Sequence, residues 1–175
     1  MFFGMSLATY TLIHVVISLI GIGSGVVVLF GMFGGKRLDR ITALFLATTA
    51  LTSLTGLGFP FEHVTPGIIL AILSLVVLAI AIPARYSLHM AGKWRAIYVV
   101  TAVIALYFNC FVLIAQSFQK VPALHALAPK GNEPPFAIAQ GILLVLFIVA
   151  GVLAVKKFRL ADPASLARAA ASVKS

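Results

Sequence analysis

The feature that most constrains this chain is an uncharged apolar stretch near its start, YTLIHVVISLIGIGSGVVVLFGMF, over residues 10–33. Crossing the hydrocarbon core of a bilayer takes about 20 such residues as a helix. A helix satisfies its backbone hydrogen bonds internally, which hydrocarbon demands. Four further apolar stretches follow, at about residues 41–58, 67–83, 96–118 and 136–155. Together they predict an all-α polytopic integral membrane bundle of five transmembrane helices over residues 1–158, with a basic tail over 159–175. Composition agrees: 62% of residues are hydrophobic and 10% are charged, with a mean hydropathy of +1.13. A soluble domain cannot bury that much apolar surface. In a soluble chain a net charge of +9 would suggest nucleic acid. Here the cations punctuate apolar spans, so the expected partner is the lipid bilayer and not nucleic acid. The start, MFFGMSLATY, has no basic region, and the first stretch is too long for the core of a cleavable signal, so that span is expected to be retained.

The cations predict an orientation. Lys36, Arg37 and Arg40 lie in the first turn; Arg85, Lys93 and Arg95 in the third connection; Lys156, Lys157, Arg159, Arg168 and Lys174 at the end. The remaining connections hold only Lys120 and Lys130. Cytoplasmic loops carry the excess of Lys and Arg, so the N-terminus is expected outside and the C-terminus in the cytoplasm of a bacterial inner membrane. Tyr86, Trp94 and Tyr98 then fall at the level of an inner aromatic belt.

Within the first stretch, His14, Ser18, Gly21 and Gly25 recur at helical spacing and share one face. Small residues let another helix come close, and a polar side chain at membrane depth has to face protein. The first span is therefore expected to be the central packing helix. Thr48, Thr52 and Thr55 form a similar face on the second span, where hydroxyls are expected to bond back to their own helix. The third span is expected to stop at Pro83, and Pro134–Pro135 suits the first turn of the last. Asp162–Pro163 suits the start of a short tail helix. Cys110 is the single cysteine, so no intrachain disulfide can form.

Most unusual polar residues collect toward the outer side. At about 1.5 Å per residue, His14 lies about 8 Å and Asn109 about 13 Å from the outer ends of their spans. Gln116 and Gln140 are shallower, Glu62 and His63 occupy one outer turn, and His125 the other. Unpaired polar groups in hydrocarbon cost several kcal/mol. His14, Ser18, Asn109, Gln116 and Gln140 are thus candidates to line a shared ligand pocket, although each also suits plain helix-to-helix bonding. His14, Glu62, His63 and His125 form a candidate metal set, with nitrogen and carboxylate donors that suit zinc, copper or iron. No phosphate loop, dinucleotide fingerprint or HExxH motif occurs, and no nucleophile–base pair stands out.

A histidine early in the first span, its glycine-rich second half, the basic turn, the Thr/Gly-rich second span and loop text such as FQKVPALHALAP and NEPPF carry a resemblance. The chain resembles a family of small proteobacterial polytopic membrane proteins, a likeness that brings no activity with it. It is more weakly similar to transmembrane b-type cytochromes of the ascorbate- or ferric-reductase kind, which implies haem held by paired histidines on facing helices. The expected function is a non-enzymatic inner-membrane accessory or small-ligand or ion-handling protein, possessing a polar pocket in the outer half. It would work alone with lipid, with other membrane subunits or as a homo-oligomer, without a cofactor. The alternative is a redox protein binding haem or quinone near His14, and a transition metal is the remaining cofactor option.

Overall fold

A computed structural model describes residues 4–60 and 65–159. Among these there are six helices and no strand: α1 (Leu7–Phe33), α2 (Asp39–Leu57), α3 (Pro66–Tyr86), α4 (Lys93–Lys120), α5 (Pro122–His125) and α6 (Pro134–Lys157). All but α5 are long and apolar enough to cross a membrane. The four-residue α5 carries His125 just after α4, between the apolar spans. Glu62, His63 and the Asp162–Pro163 start of a tail helix lie outside the described residues.

Helix ends follow local chemistry. Ser6 caps α1 by accepting from the Thr9 amide at 3.1 Å, and Thr65 caps α3 from the Ile68 amide at 3.4 Å. Such side chains satisfy amides that have no partner within the helix. Pro66 and Pro134 occupy first turns, where their missing N–H is no loss.

Pro83 does not stop α3, which runs on to Tyr86. The Pro83 carbonyl accepts from the amides of Ser87 (3.0 Å) and Leu88 (2.9 Å). The extra residues also carry Arg85 into the bundle, where it is nearly inaccessible. Tertiary anchoring has outweighed the local cost of the proline.

Consecutive long helices pack side by side from α1 to α4, and α6 packs on α4 and α1. The helix that touches every other is α4, so α4 is central and α1 is not. The reason lies in the two surfaces. α1 leaves Leu12, Val16, Leu19, Ile20 and Phe30 exposed on its outer faces. α4 buries Tyr98, Val99, Ala102, Ala105, Leu106 and Asn109, with alanines where neighbours approach. The expected glycine face of α1 does lie inward. A Cβ on Gly25 would stand 2.6 Å from Leu106 Cδ1 and 2.8 Å from the Phe45 ring, closer than atoms can pack. At Gly21 it would stand 3.2 Å from Thr48 Oγ1, whereas at Gly23 it would meet nothing within 4 Å. The core thus sits where α1, α2 and α4 converge and continues toward the end that holds Phe158.

Candidate functional site

The threonine face of α2 builds the first layer. Thr48 and Thr55 donate to the Leu44 and Leu51 carbonyls, each at 2.7 Å. Hydroxyls in apolar helices commonly bond back this way. The Thr52 hydroxyl is buried without a partner among the described residues. With its own proton directed at Leu51 O, Thr55 Oγ1 is an acceptor toward His14 Nδ1, 2.8 Å away. That places a hydrogen on Nδ1, so in the neutral form of the ring Nε2 is the acceptor nitrogen. The half-buried imidazole also meets the Phe59 ring edge-on at 5.2 Å. One turn earlier, the Tyr10 hydroxyl donates to Thr55 O at 2.8 Å. Gly58 gives the tyrosine room, because a Cβ there would collide with its hydroxyl.

The other polar side chains go to different partners. Asn109 Nδ2 donates to Thr49 Oγ1 at 3.1 Å, joining α4 to α2 under Gly21. Gln140 Nε2 donates to Phe111 O at 3.1 Å, joining α6 to α4. Its Oε1 is buried with no partner among the described residues. The Ser18 hydroxyl returns to His14 O at 2.7 Å, and Gln116 is exposed. His14, Asn109 and Gln140 therefore each close a different helix seam: α1 to α2, α4 to α2 and α6 to α4.

Two cavities among the described residues lie away from these seams. One of about 270 Å³ lies beside α5, lined in part by His125, Lys130, Phe118 and Phe136. The larger, of about 500 Å³, lies at the opposite end among Arg95, Lys156 and Arg159. Beside α5, the Glu133 carboxylate accepts the amides of Lys130 (2.9 Å) and Asn132 (3.1 Å). The Lys130 amide bond, foremost, holds its carboxyl below the ordinary carboxylate value.

Of the metal set, His14 lies within α1 and His125 is exposed on α5. Among the described residues no group of three His, Cys, Asp or Glu side chains stands close enough to hold a metal ion. The b-type cytochrome likeness implies histidines paired on facing helices. Here His14 is the one histidine within a long described helix, and His89 lies exposed in a turn. The described residues do not fit a bis-histidine haem.

The end of the bundle opposite His14 holds a buried cation. Arg85, in the last turn of α3, has a side chain only 1% exposed. Nη2 donates to Asp39 Oδ1 at 2.6 Å and to Arg37 O at 2.9 Å. Its guanidinium lies 5.0 Å over the Tyr98 ring, an arrangement that stabilises a cation away from water. Tyr98 is accordingly fully buried beneath Arg85 and does not join an interfacial belt, whereas Tyr86 and Trp94 are exposed. A signal for this pair was present: Asp39 is one of four acidic residues in the chain and stands inside a basic turn.

No protein-family model, curated protein or solved structure matches this chain.

Proposed function

We propose that this is a multi-pass protein of a bacterial inner membrane, N-terminus outside and C-terminus cytoplasmic, acting as a non-enzymatic accessory protein. The observation that carries this reading is the fate of the outer-half polar groups: His14, Asn109 and Gln140 are each engaged by a hydrogen bond across a different helix seam. Polar groups used in this way join helices and set their register. The eleven-to-two division of Lys and Arg between alternate connections supports the orientation, and the likeness to small proteobacterial membrane proteins supports the setting. Its associates are lipid and neighbouring membrane subunits or further copies of the chain.

Reporter fusions test the orientation. Fusions after Lys36, Gly92 and Ser175 should report cytoplasm, and fusions after Glu62 and Lys130 periplasm. A cytoplasmic signal at Lys130 would remove one span and the orientation with it.

One observation favours a second reading, a redox protein holding haem or quinone near His14. The Nδ1 hydrogen bond to Thr55 leaves Nε2 as the acceptor nitrogen, and fixing the tautomer through the other nitrogen is how ligating histidines are commonly oriented. An absorption spectrum of the purified protein distinguishes the readings. A haem or quinone chromophore lost in His14→Phe would replace the accessory reading with the redox one.

A further inference from the structure

The larger cavity lies at the end of the bundle opposite His14, where α6 ends and α4 begins. It holds about 500 Å³ and is lined by Met90, Gly92, Arg95, Val155, Lys156 and Arg159. Three of these six residues are cationic and none is acidic. Arg95 is fixed in place, because Nη1 donates to Val155 O at 2.8 Å and also to Phe158 O. It thereby satisfies carbonyls that α6 leaves open at its end. Arg159 Nε donates to Lys156 O at 3.4 Å, which holds the third cation against the same turn. Gly92 has φ +52 and nothing within 4 Å of where a Cβ would stand, so the cavity is open on that side.

Above this basic cup the surface turns apolar. Ile148, Val149, Val152 and Leu153 of α6 are exposed, and Val100 of α4 is exposed as well. Trp94, next to the anchoring arginine, is exposed at the same level, where an amphipathic ring suits a headgroup region. Cations around a cavity, with an apolar wall leading away from it, match a phospholipid: phosphate in the cup, acyl chains along the wall. Basic pockets between helices at a cytoplasmic surface suit anionic headgroups for the same reason.

We propose that this cavity is a binding site for the phosphate of an anionic phospholipid, clamped by Arg95, Lys156 and Arg159. The site rests on the reading of the chain as membrane-inserted. It goes beyond general attraction of basic loops to the membrane, because it assigns the attraction to particular side chains.

The test is a thermal-stability titration of the detergent-purified protein with phosphatidylglycerol. Phosphatidylcholine and inorganic phosphate are run in parallel. Lys156→Gln with Arg159→Gln removes two of the clamping charges and leaves Arg95 to hold α6. Lys36→Gln with Arg40→Gln removes the same charge from positions that do not line the cavity. Phosphatidylglycerol should raise the midpoint and phosphatidylcholine should not. The cavity double variant should need about twenty-five-fold more phosphatidylglycerol, each of the two cations near a surface being worth about a factor of five. The control variant should titrate like the original. Equal weakening in both double variants would reduce the effect to bulk charge and overturn the site. A shift reproduced by inorganic phosphate alone would overturn the lipid as its occupant. Alkaline carbonate extraction of native membranes separates the two proposals. A chain that resists extraction but shows no headgroup preference overturns the cavity site alone, and a chain that is extracted overturns the membrane reading too.

Discussion

The two ends of this bundle hold their helices together by different means. At the His14 end, neutral polar groups meet across seams in single hydrogen bonds: His14 to Thr55, Tyr10 to Thr55 O, and Asn109 to Thr49 nearer the middle. At the Arg85 end, one buried cation of α3 gathers its neighbours, bonding to Asp39 of α2 and to Arg37 O of the α1–α2 connection and lying over Tyr98 of α4. Each device suits its place in the bundle. Neutral bonds within membrane helices contribute little each, about 0.6 kcal/mol on average, because the separated helices find other partners. A buried charge adds little by its presence but costs several kcal/mol when its partner is removed. Neutral groups can therefore be distributed, whereas the charged one has to be fully surrounded.

The contrast between the two ends depends most on Asp39. Asp39→Asn should destabilise the protein by about 3 kcal/mol, because Arg85 would stay buried with a carbonyl and aromatic rings but no counter-charge. Asp39 is itself largely exposed, so its Coulomb attraction is screened; the cost arises from the cation. Combining Asp39→Asn with Arg85→Met should recover most of the loss. Thermal unfolding in detergent measures both. A silent Asp39→Asn would remove the ionic anchor from the comparison.

The glycine seam between the two ends should come next. Gly25→Leu should cost about 1–3 kcal/mol through overpacking against Leu106 and Phe45. Gly21→Ala should cost less, since its nearest neighbour is a hydroxyl at 3.2 Å. Gly23→Ala should be neutral or slightly stabilising in the same assay, because it adds helix propensity and meets nothing. Equal tolerance at all three positions would dissolve the seam.

The neutral bonds should be weaker. Asn109→Leu and His14→Phe are each expected to cost about 0.6 kcal/mol, and the two should be additive because they serve different seams. Clear coupling between them in a double-mutant cycle would mean that they share a site after all.

The smallest effect concerns the α5–α6 connection. Glu133 has a lowered carboxyl pKa, so its support of the turn is present above the ordinary value of 4.5 and is lost as pH falls through the lowered one. Exchange of the Lys130 and Asn132 amides should therefore accelerate more steeply under acid in the original protein than in Glu133→Gln. Identical acid profiles would show that the carboxylate does not hold the turn.

Sequence alone determined the five long apolar helices, because their length and lack of charge leave few other ways to satisfy a backbone. It also determined that Gly21 and Gly25 share a face, since helical spacing is local geometry. The back-bonding of Thr48 and Thr55 was legible on the same ground, because each hydroxyl reaches a carbonyl of its own helix. Which neighbour each face meets follows from tertiary packing. Periodicity marks a face without naming its partner, and α4 rather than α1 proved central because its alanines let several helices approach. The candidate polar residues were visible as outliers at similar depth, yet depth is one coordinate of three. Rotation about each helix sent His14, Asn109 and Gln140 to separate seams and left Gln116 exposed. Arg85 shows the same limit from the other side. A loop cation in the sequence became a buried anchor because α3 continues past Pro83 and places its guanidinium against Asp39, a contact 46 residues away along the chain.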